Sequence, residues 1–152
     1  MQLYKFNRKC VWMALLFPLW FSADLQANCW SYASQKFGID RNLLIAIAQV
    51  ESGMNPAAVN RNNNGSYDIG LMQINSSHMP KLKQLGLSEE HLKRDPCASI
   101  LVGASILADM MKIYGYSWEA VGAYNAGTGK GRHEIRMRYA RKVWERYRQA
   151  LP

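Results

Sequence analysis

Cysteine and histidine are scarce in this chain, with three of each among 152 residues. Cys29 and Cys97 are far apart, Cys10 lies close to the N-terminus, and the histidines are dispersed. Metal sites built from these residue types need ligands at close, repeated spacings. The sequence therefore predicts no metal site and no cofactor.

Internal repeats, low-complexity tracts and linkers are also missing from the sequence. The chain is 49% hydrophobic, which is enough for one hydrophobic core, but its length is too short for two domains of typical size. We therefore expect a single domain.

An apolar run near the N-terminus, residues 11–21, is too short for a membrane anchor, because a spanning helix needs about 20 apolar residues. Lys5, Arg8 and Lys9 precede this run, and the segment ends with the small residue Ala27. This order is typical of a secretory signal peptide. We expect cleavage after Ala27, a mature domain of residues 28–152, export to the periplasm or beyond, and no permanent membrane anchor.

Export places the remaining cysteines in a compartment where oxidation is favoured. The sequence predicts one disulfide, between Cys29 and Cys97, which would tie the start of the mature chain to its middle. Two buried free thiols are the alternative.

Acidic residues are few, 11 against 19 lysines and arginines, and the formal net charge is +8. Eight of the basic residues lie within residues 130–148, where Ile135, Tyr139, Val143 and Tyr147 recur every four positions. This pattern predicts an amphipathic helix with a basic outer face. That face is either simply solvated or attracted to an anionic wall polymer, and export disfavours nucleic acid as a partner.

The rest of the chain predicts short helices and one hairpin. Residues 41–52 follow a capping Asp40 and are apolar at every position from 43 to 48, so this segment should be a central, buried helix. Asn64-Gly65 is a hairpin turn signal, so residues 59–61 should pair with residues 66–69. Further helices are expected at residues 28–37, 96–114 and 118–125. The expected fold class is α+β, mostly α, with a small β-hairpin.

Glu51 falls in the last turn of the predicted central helix. Apolar neighbours and the negative end of the helix dipole both disfavour its ionised form, so its pKa should be raised. A carboxylic acid that keeps its proton near neutral pH can protonate a leaving oxygen, as cleavage of a glycosidic bond requires. The alternative is a buried glutamate that pairs with an arginine for structural reasons.

Asp68 falls on the second hairpin strand, in polar and turn-rich surroundings. We expect it to stay ionised. Two acids in opposed environments are typical of a proton donor and a charge stabiliser or nucleophile. The alternative is a hydrogen-bonded turn residue.

Four motifs in order resemble the soluble lytic transglycosylase family: ES at 51–52, GLMQIN at 70–75, AYNAG at 123–127 and YA at 139–140. The resemblance covers about residues 29–148 and is greatest with the small members that accompany type III secretion and conjugation machines. It implies a lysozyme-like fold and cleavage of peptidoglycan where an assembly crosses the wall.

The resemblance implies a role for each matching residue. Glu51 would protonate the bridging oxygen and then accept a proton from the 6-hydroxyl of N-acetylmuramic acid, which gives a 1,6-anhydro product. Ser52 and Gln73 would hydrogen-bond the sugar, Tyr124 would orient Glu51, and Asn125 would shape the cleft. For Tyr124 a packed aromatic with a satisfied hydroxyl is the alternative, and Met72 is expected in the core.

Asp68 departs from the transglycosylase pattern, which has no acid at this position. The stretch from Glu51 to Asp68, with its asparagine-rich hairpin, instead resembles animal-type lysozyme, whose two-carboxylate chemistry is well described. The leading interpretation is an exported, monomeric lytic transglycosylase that acts on peptidoglycan glycan strands beside a secretion or conjugation apparatus. A hydrolytic muramidase of the same fold and a non-catalytic wall-binding scaffold are the alternatives.

Overall fold

The structure of the protein is a computed structural model that describes residues 21–151, with side chains from residue 28 onward. Most of the predicted signal peptide, residues 1–20, lies outside the described residues. The described part contains seven α-helices and three short strands. Their bounds are α1 Phe21–Phe37, α2 Arg41–Ser52, β1 Val59–Arg61, β2 Tyr67–Ile69, β3 Ile74–Asn75, α3 Met79–Gln84, α4 Glu89–Arg94, α5 Pro96–Tyr114, α6 Trp118–Ala126 and α7 His133–Tyr147. Short 3-10 turns occupy Ser76–His78 and Arg148–Ala150.

Helix α2 forms the centre of the core, as its apolar run predicts. The Asp40 side chain caps it by accepting hydrogen bonds from the backbone amides of Asn42 at 2.7 Å and Leu43 at 3.1 Å. Gly53 ends the helix in the left-handed conformation, at φ 61°. The buried side chains of α2 are Leu43, Leu44, Ala46, Ile47 and Ala48. Because both ends are well defined, the catalytic candidate Glu51 has a fixed position in the last turn.

Helix α5 packs against α1 and α6. It is long and apolar enough to cross a membrane by length and composition alone, but here residues such as Ile100, Ala104 and Leu107 are fully buried inside the domain. The predicted disulfide is confirmed: Cys29 and Cys97 are bonded, with their Cα atoms 5.5 Å apart, and join α1 to the start of α5. Closing a loop of this length stabilises the folded state by roughly 4 kcal/mol on the chain-entropy estimate.

The three strands form one antiparallel sheet in the order β1-β2-β3. The predicted hairpin is confirmed, with Asn60 opposite Asp68 and Gly65 at φ 83° in the turn. Strand β3 was not predicted, because it is only two residues long and depends on pairing of Asp68 with Asn75. Helices α3 and α4 were also missed, since six residues are too few to show a helical period. Helix α1 begins at Phe21, ahead of its predicted start.

Helix α7 buries Tyr139 and Val143, as the predicted stripe requires, but the buried face also contains Arg136 and Ala140 and leaves out Ile135. Ile135 is 39% exposed, whereas Arg136 is 7% exposed. Arg136 can be buried because its guanidinium pairs with Glu119 on α6 and donates to the carbonyls of Gly127 and Gly129, both at 3.2 Å. These contacts hold the segment between α6 and α7 in place. One of the eight basic residues expected on the outer face is therefore a core residue.

Candidate active site

An open cleft of about 580 Å³ lies between the sheet and the helices. It is bordered by the end of α2, the β1–β2 turn, β3 and the chain that joins α6 to α7. The structure brings five of the six predicted site residues to its wall, and Ser52 is the exception. The five are Glu51, Asp68, Gln73, Tyr124 and Asn125.

Glu51 is the most deeply embedded acid of the cleft. Its Oε1 accepts a 2.5 Å hydrogen bond from the hydroxyl of Tyr139 on α7. Burial raises the pKa of Glu51 from 4.5 to about 7; the hydrogen bond from Tyr139 and the charge of Lys142 oppose this rise, and the charge of Asp68 adds to it. The shift has the direction expected from the sequence. Glu51 can therefore exist in both protonation states near neutral pH.

Asp68 occupies the middle of β2 and is not a turn residue. Its Oδ1 accepts a 2.7 Å hydrogen bond from the Asn75 side-chain amide, and its Oδ2 accepts one of 3.0 Å from that of Asn62. Both amides also hydrogen-bond Ser66 Oγ, at 3.1 and 3.0 Å. A polar network thus holds Asp68 at the cleft wall, in contrast to the buried surroundings of Glu51.

Gln73 braces the backbone, although the resemblance implies a contact with sugar. Its side-chain nitrogen donates to the carbonyls of Gly70 at 2.8 Å and Ala58 at 3.2 Å, while its oxygen accepts from Asn60 at 2.7 Å. Gln73 also has φ 50°, in the left-handed region that side chains rarely adopt. Both amide protons are used within the fold, so they are not available to a substrate.

The residues that precede Gln73 hold it in place. Gly70 has φ 78°, and a Cβ there would lie 2.3 Å from the carbonyl oxygen of Leu92, so only glycine fits this approach. Met72 is fully buried, as expected, and lies directly over Gly103, where a Cβ would approach it to 2.8 Å. The GLMQ motif therefore acts in this chain largely through packing.

Ser52 differs from its expected role. Its hydroxyl donates to the carbonyl of Leu71 at 2.7 Å and also lies 3.3 Å from that of Ala48. The single hydroxyl proton is therefore used to join the end of α2 to the loop after β2. This contact positions the neighbouring Glu51 and leaves no proton to donate to a sugar.

Tyr124 and Tyr139 exchange the roles expected of them. Tyr124 was expected to orient Glu51, but its hydroxyl donates to the carbonyl of Met72 at 2.7 Å. Tyr139 was expected only to pack, but it donates to Glu51. A phenol has one proton to donate, so Tyr124 cannot donate to Glu51 at the same time. The residue that orients the acid is on α7.

Several cleft residues were not singled out from the sequence, among them Asn62, Asn75, His78 and Arg132. Asn62 could have been found from the predicted hairpin, because alternation beyond β1 places it on the same face as Asp68. Asn75 could not, because its position beside Asp68 depends on the unpredicted strand β3. Arg132 gives no local signal, because the fold alone brings the start of α7 to the cleft. Within residues 28–151, no group of three or more His, Cys, Asp or Glu side chains is arranged to hold a metal ion.

Among solved structures, the fold is similar to that of the lytic transglycosylase Slt from Pseudomonas aeruginosa, in an inactive mutant form, with a TM-score of 0.63 and 20% sequence identity. The match covers 80% of this chain and 23% of that much longer one. This likeness confirms a lysozyme-like fold: a mostly helical domain with a small antiparallel sheet.

The alignments with sequence relatives extend over most of both chains. Invasion protein IagB of Salmonella typhimurium is 57% identical over 139 residues, which is 91% of this chain and 83% of the relative. Protein IpgF of Shigella flexneri is 48% identical over 122 residues, 80% of each chain. X polypeptide of Escherichia coli is 42% identical over 123 residues, 80% of this chain and 73% of the relative.

The family described as "Transglycosylase SLT domain" matches residues 28–147. This range contains every helix from α2 to α7, the whole sheet and the cleft, and it begins where the mature domain was expected to begin. The chain therefore belongs to the SLT family of transglycosylases, the lytic transglycosylases of peptidoglycan.

Proposed function

We propose that the protein is an exported lytic transglycosylase that cleaves the β-1,4 bond between N-acetylmuramic acid and N-acetylglucosamine. The observation that supports this most directly is Glu51, whose pKa is raised by burial to about 7 and which Tyr139 holds at the wall of a cleft. A carboxyl group with this pKa can both donate and accept a proton at neutral pH.

In the first step, protonated Glu51 donates its proton to the bridging oxygen as the bond from this oxygen to the muramic anomeric carbon breaks. N-acetylglucosamine leaves with a free hydroxyl, and positive charge develops at the anomeric carbon. In the second step, the Glu51 carboxylate accepts the proton of the muramic 6-hydroxyl, whose oxygen bonds to the anomeric carbon. The 1,6-anhydro ring closes without water, and Glu51 regains its proton.

Asp68 has the position and the partners to stabilise the positive charge of the transition state. It lines the same cleft as Glu51, and its negative charge raises the pKa of Glu51. The amides of Asn62 and Asn75 orient both of its oxygens. We propose that Asp68 supports the oxocarbenium-like transition state electrostatically.

A hydrolytic muramidase is the second candidate, and the carboxylate of Asp68 in its asparagine network is the observation that favours it. In that reaction a water molecule, and not the 6-hydroxyl, would attack the anomeric carbon. Mass spectrometry of digested peptidoglycan separates the two reactions, because the anhydro product is one water lighter. We expect the anhydro product. A digest in which every muramic end is hydrolysed would exclude the transglycosylase.

Replacement of Glu51 by glutamine tests whether the protein is an enzyme or a non-catalytic wall-binding scaffold. Glutamine keeps the shape and can still accept from Tyr139, but its amide does not titrate and cannot act as the acid or the base. We expect the folded Glu51→Gln protein to bind sacculi and to cleave them less than a hundredth as fast. Glu145→Gln, an exposed acid on α7, is the matched control and should retain full activity. Equal cleavage by Glu51→Gln and the parent would show that Glu51 is not the catalytic acid.

We further propose that the protein opens the wall locally for a secretion apparatus. The support is the 57% identity with a protein named as an invasion protein and the predicted signal peptide of residues 1–27. In a Salmonella strain that lacks IagB, the parent chain should restore invasion and Glu51→Gln should not. N-terminal sequencing of the exported protein should begin at Asn28, and an uncleaved N-terminus would contradict the signal peptide.

A further inference from the structure

A second groove lies next to the cleft, on the helical side of the domain. This side groove has a volume of about 260 Å³ and lies between the end of α1, the α3 region and α5. His78 and Ile106 line both the cleft and the side groove. The two concave surfaces are therefore adjacent, and a branch of a ligand that lies in the cleft has the side groove within reach.

The floor of the side groove is apolar, with Phe37, Leu82, Leu101 and Met110 among its lining residues. Leu85, at the same groove, is 69% exposed. Leu85 thus extends the apolar floor to the surface, and contiguous apolar surface in a concave site is typical of ligand-binding grooves. The floor is therefore suited to small methyl or methylene groups of a ligand.

The charged residues of the side groove favour an anionic ligand. Lys36 from α1 and Lys81 from α3 line it, and both side chains are exposed. Its one acid among the lining residues, Asp109, is already paired with Lys112 at 2.7 Å. Partial burial and the charge of Lys81 lower the pKa of His78, so His78 adds no positive charge at neutral pH.

Peptidoglycan has a component with this combination of chemistry. Each N-acetylmuramic acid carries a short peptide stem on its lactyl group, with alanine methyl groups and several free carboxylates. A strand whose sugars lie in the cleft must direct these stems away from the catalytic acids, which repel carboxylates. We propose that the side groove binds the acidic peptide stem of the same strand, a proposal that rests on the proposed function of the cleft.

The test compares two substrates that share one glycan. Glycan strands with intact stems are compared with strands from which an amidase has removed the stems. The double variant Lys36→Gln/Lys81→Gln should lose at least fivefold in kcat/KM on stem-bearing strands and nothing on denuded strands. The matched control Lys83→Gln/Lys93→Gln removes the same charge from lysines outside the groove and should change neither value.

A steric variant tests the same surface without a change of charge. Ser105 lines the side groove on α5 and is half-buried. Ser105→Trp should fill the groove and reproduce the selective loss on stem-bearing strands, in a protein whose melting temperature shows that it is folded. Equal losses on both substrates for both groove variants, or no loss on stem-bearing strands, would overturn the proposal.

Direct binding separates failure of this proposal from failure of the proposed function. L-alanyl-γ-D-glutamyl-meso-diaminopimelic acid is titrated into folded Glu51→Gln protein, and amide NMR shifts are followed. We expect shifts at α1, α3 and α5 that disappear in Lys36→Gln/Lys81→Gln. If the parent cleaves neither substrate, the proposed function fails. The titration still tests whether the groove binds the peptide stem, and an absence of shifts there excludes stem binding.

Discussion

The hydroxyl of Tyr139 donates a 2.5 Å hydrogen bond to Glu51 Oε1, across 88 positions of sequence. This contact joins α7 to the last turn of α2, and the two helices pack closely along the core. Tyr139 is buried, so its hydroxyl needs a partner inside the protein, and the only partner it has among the described contacts is the catalytic candidate. A residue of the basic helix thus positions the acid.

Tyr139→Phe should change the pH dependence of the reaction. The hydrogen bond lowers the pKa of Glu51, so its loss should raise that pKa and move the alkaline limb of kcat/KM to higher pH. The loss of orientation should also reduce kcat by about tenfold, equivalent to about 1.4 kcal/mol. The measurement is a pH profile on soluble glycan strands.

Tyr124→Phe is the matched control for that experiment. Its hydroxyl donates to the carbonyl of Met72, so its removal should leave the alkaline limb where the parent has it. If Tyr124→Phe moved the limb and Tyr139→Phe did not, the residue that orients Glu51 would be Tyr124.

Glu51→Gln should stabilise the folded state above neutral pH. The pKa of Glu51 is raised from 4.5 to about 7, so the stability that its proton contributes is present below pH 4.5 and is lost as the pH rises through 7. Glutamine does not titrate and escapes this loss, which is about 3 kcal/mol at most. Denaturant unfolding at pH 4 and pH 8 should show that Glu51→Gln gains stability over the parent only at the higher pH. A constant difference at both values would mean that burial does not shift this group.

Asp68→Asn should cut turnover at least tenfold, or about 1.4 kcal/mol of transition-state stabilisation, with little effect on binding to the wall. Asparagine keeps the size of the side chain but removes the negative charge. Activity and thermal melting are measured on one preparation, beside Glu145→Gln as a charge-matched control. If activity falls only as far as melting does, Asp68 is a structural residue.

Gln73→Ala should reduce stability more than it reduces substrate binding. The side chain holds the carbonyls of Ala58 and Gly70 and accepts from Asn60. Both carbonyls keep a backbone hydrogen bond in the variant, so the loss of the three side-chain hydrogen bonds should cost about 1 kcal/mol. The measurement pairs denaturant unfolding with KM on soluble strands. A stable variant with a raised KM would instead support the sugar contact that the family resemblance implies.

The triple variant Arg138→Gln/Arg141→Gln/Arg146→Gln should bind whole sacculi more weakly at low salt and match the parent at high salt. All three side chains are exposed on α7, and exposed charges act over roughly 10 Å at 0.1 M salt. Lys142 is left in place because its charge acts on Glu51. Cleavage of short soluble strands should be unchanged.

A variant with the same charge loss elsewhere, Lys83→Gln/Lys93→Gln/Arg94→Gln, serves as the control for binding. Equal weakening by both triple variants would show a response to net charge alone. Loss of cleavage on short strands at every salt concentration would instead show that the α7 arginines help to shape the cleft.

Local sequence determined the elements whose signals are local. Helix α2 has the bounds predicted from Asp40 and its apolar run, since a cap and a helical period both act within a few residues. The turn at Asn64-Gly65 likewise determines the hairpin, and the burial of Glu51 at the end of an apolar helix gave the direction of its pKa shift. The disulfide also followed from the number and position of the cysteines.

Only the tertiary structure decided which side chains meet. Neither Tyr139 nor Tyr124 has a neighbour in sequence that indicates where its hydroxyl donates, and the packing of α7 against α2 selects Tyr139 as the partner of Glu51. The burial of Arg136 depends on Glu119 from another helix and on two glycine carbonyls. Such contacts join residues far apart in the chain, and a short window of sequence contains no information about the partner that compensates a buried charge or uses a hydroxyl proton.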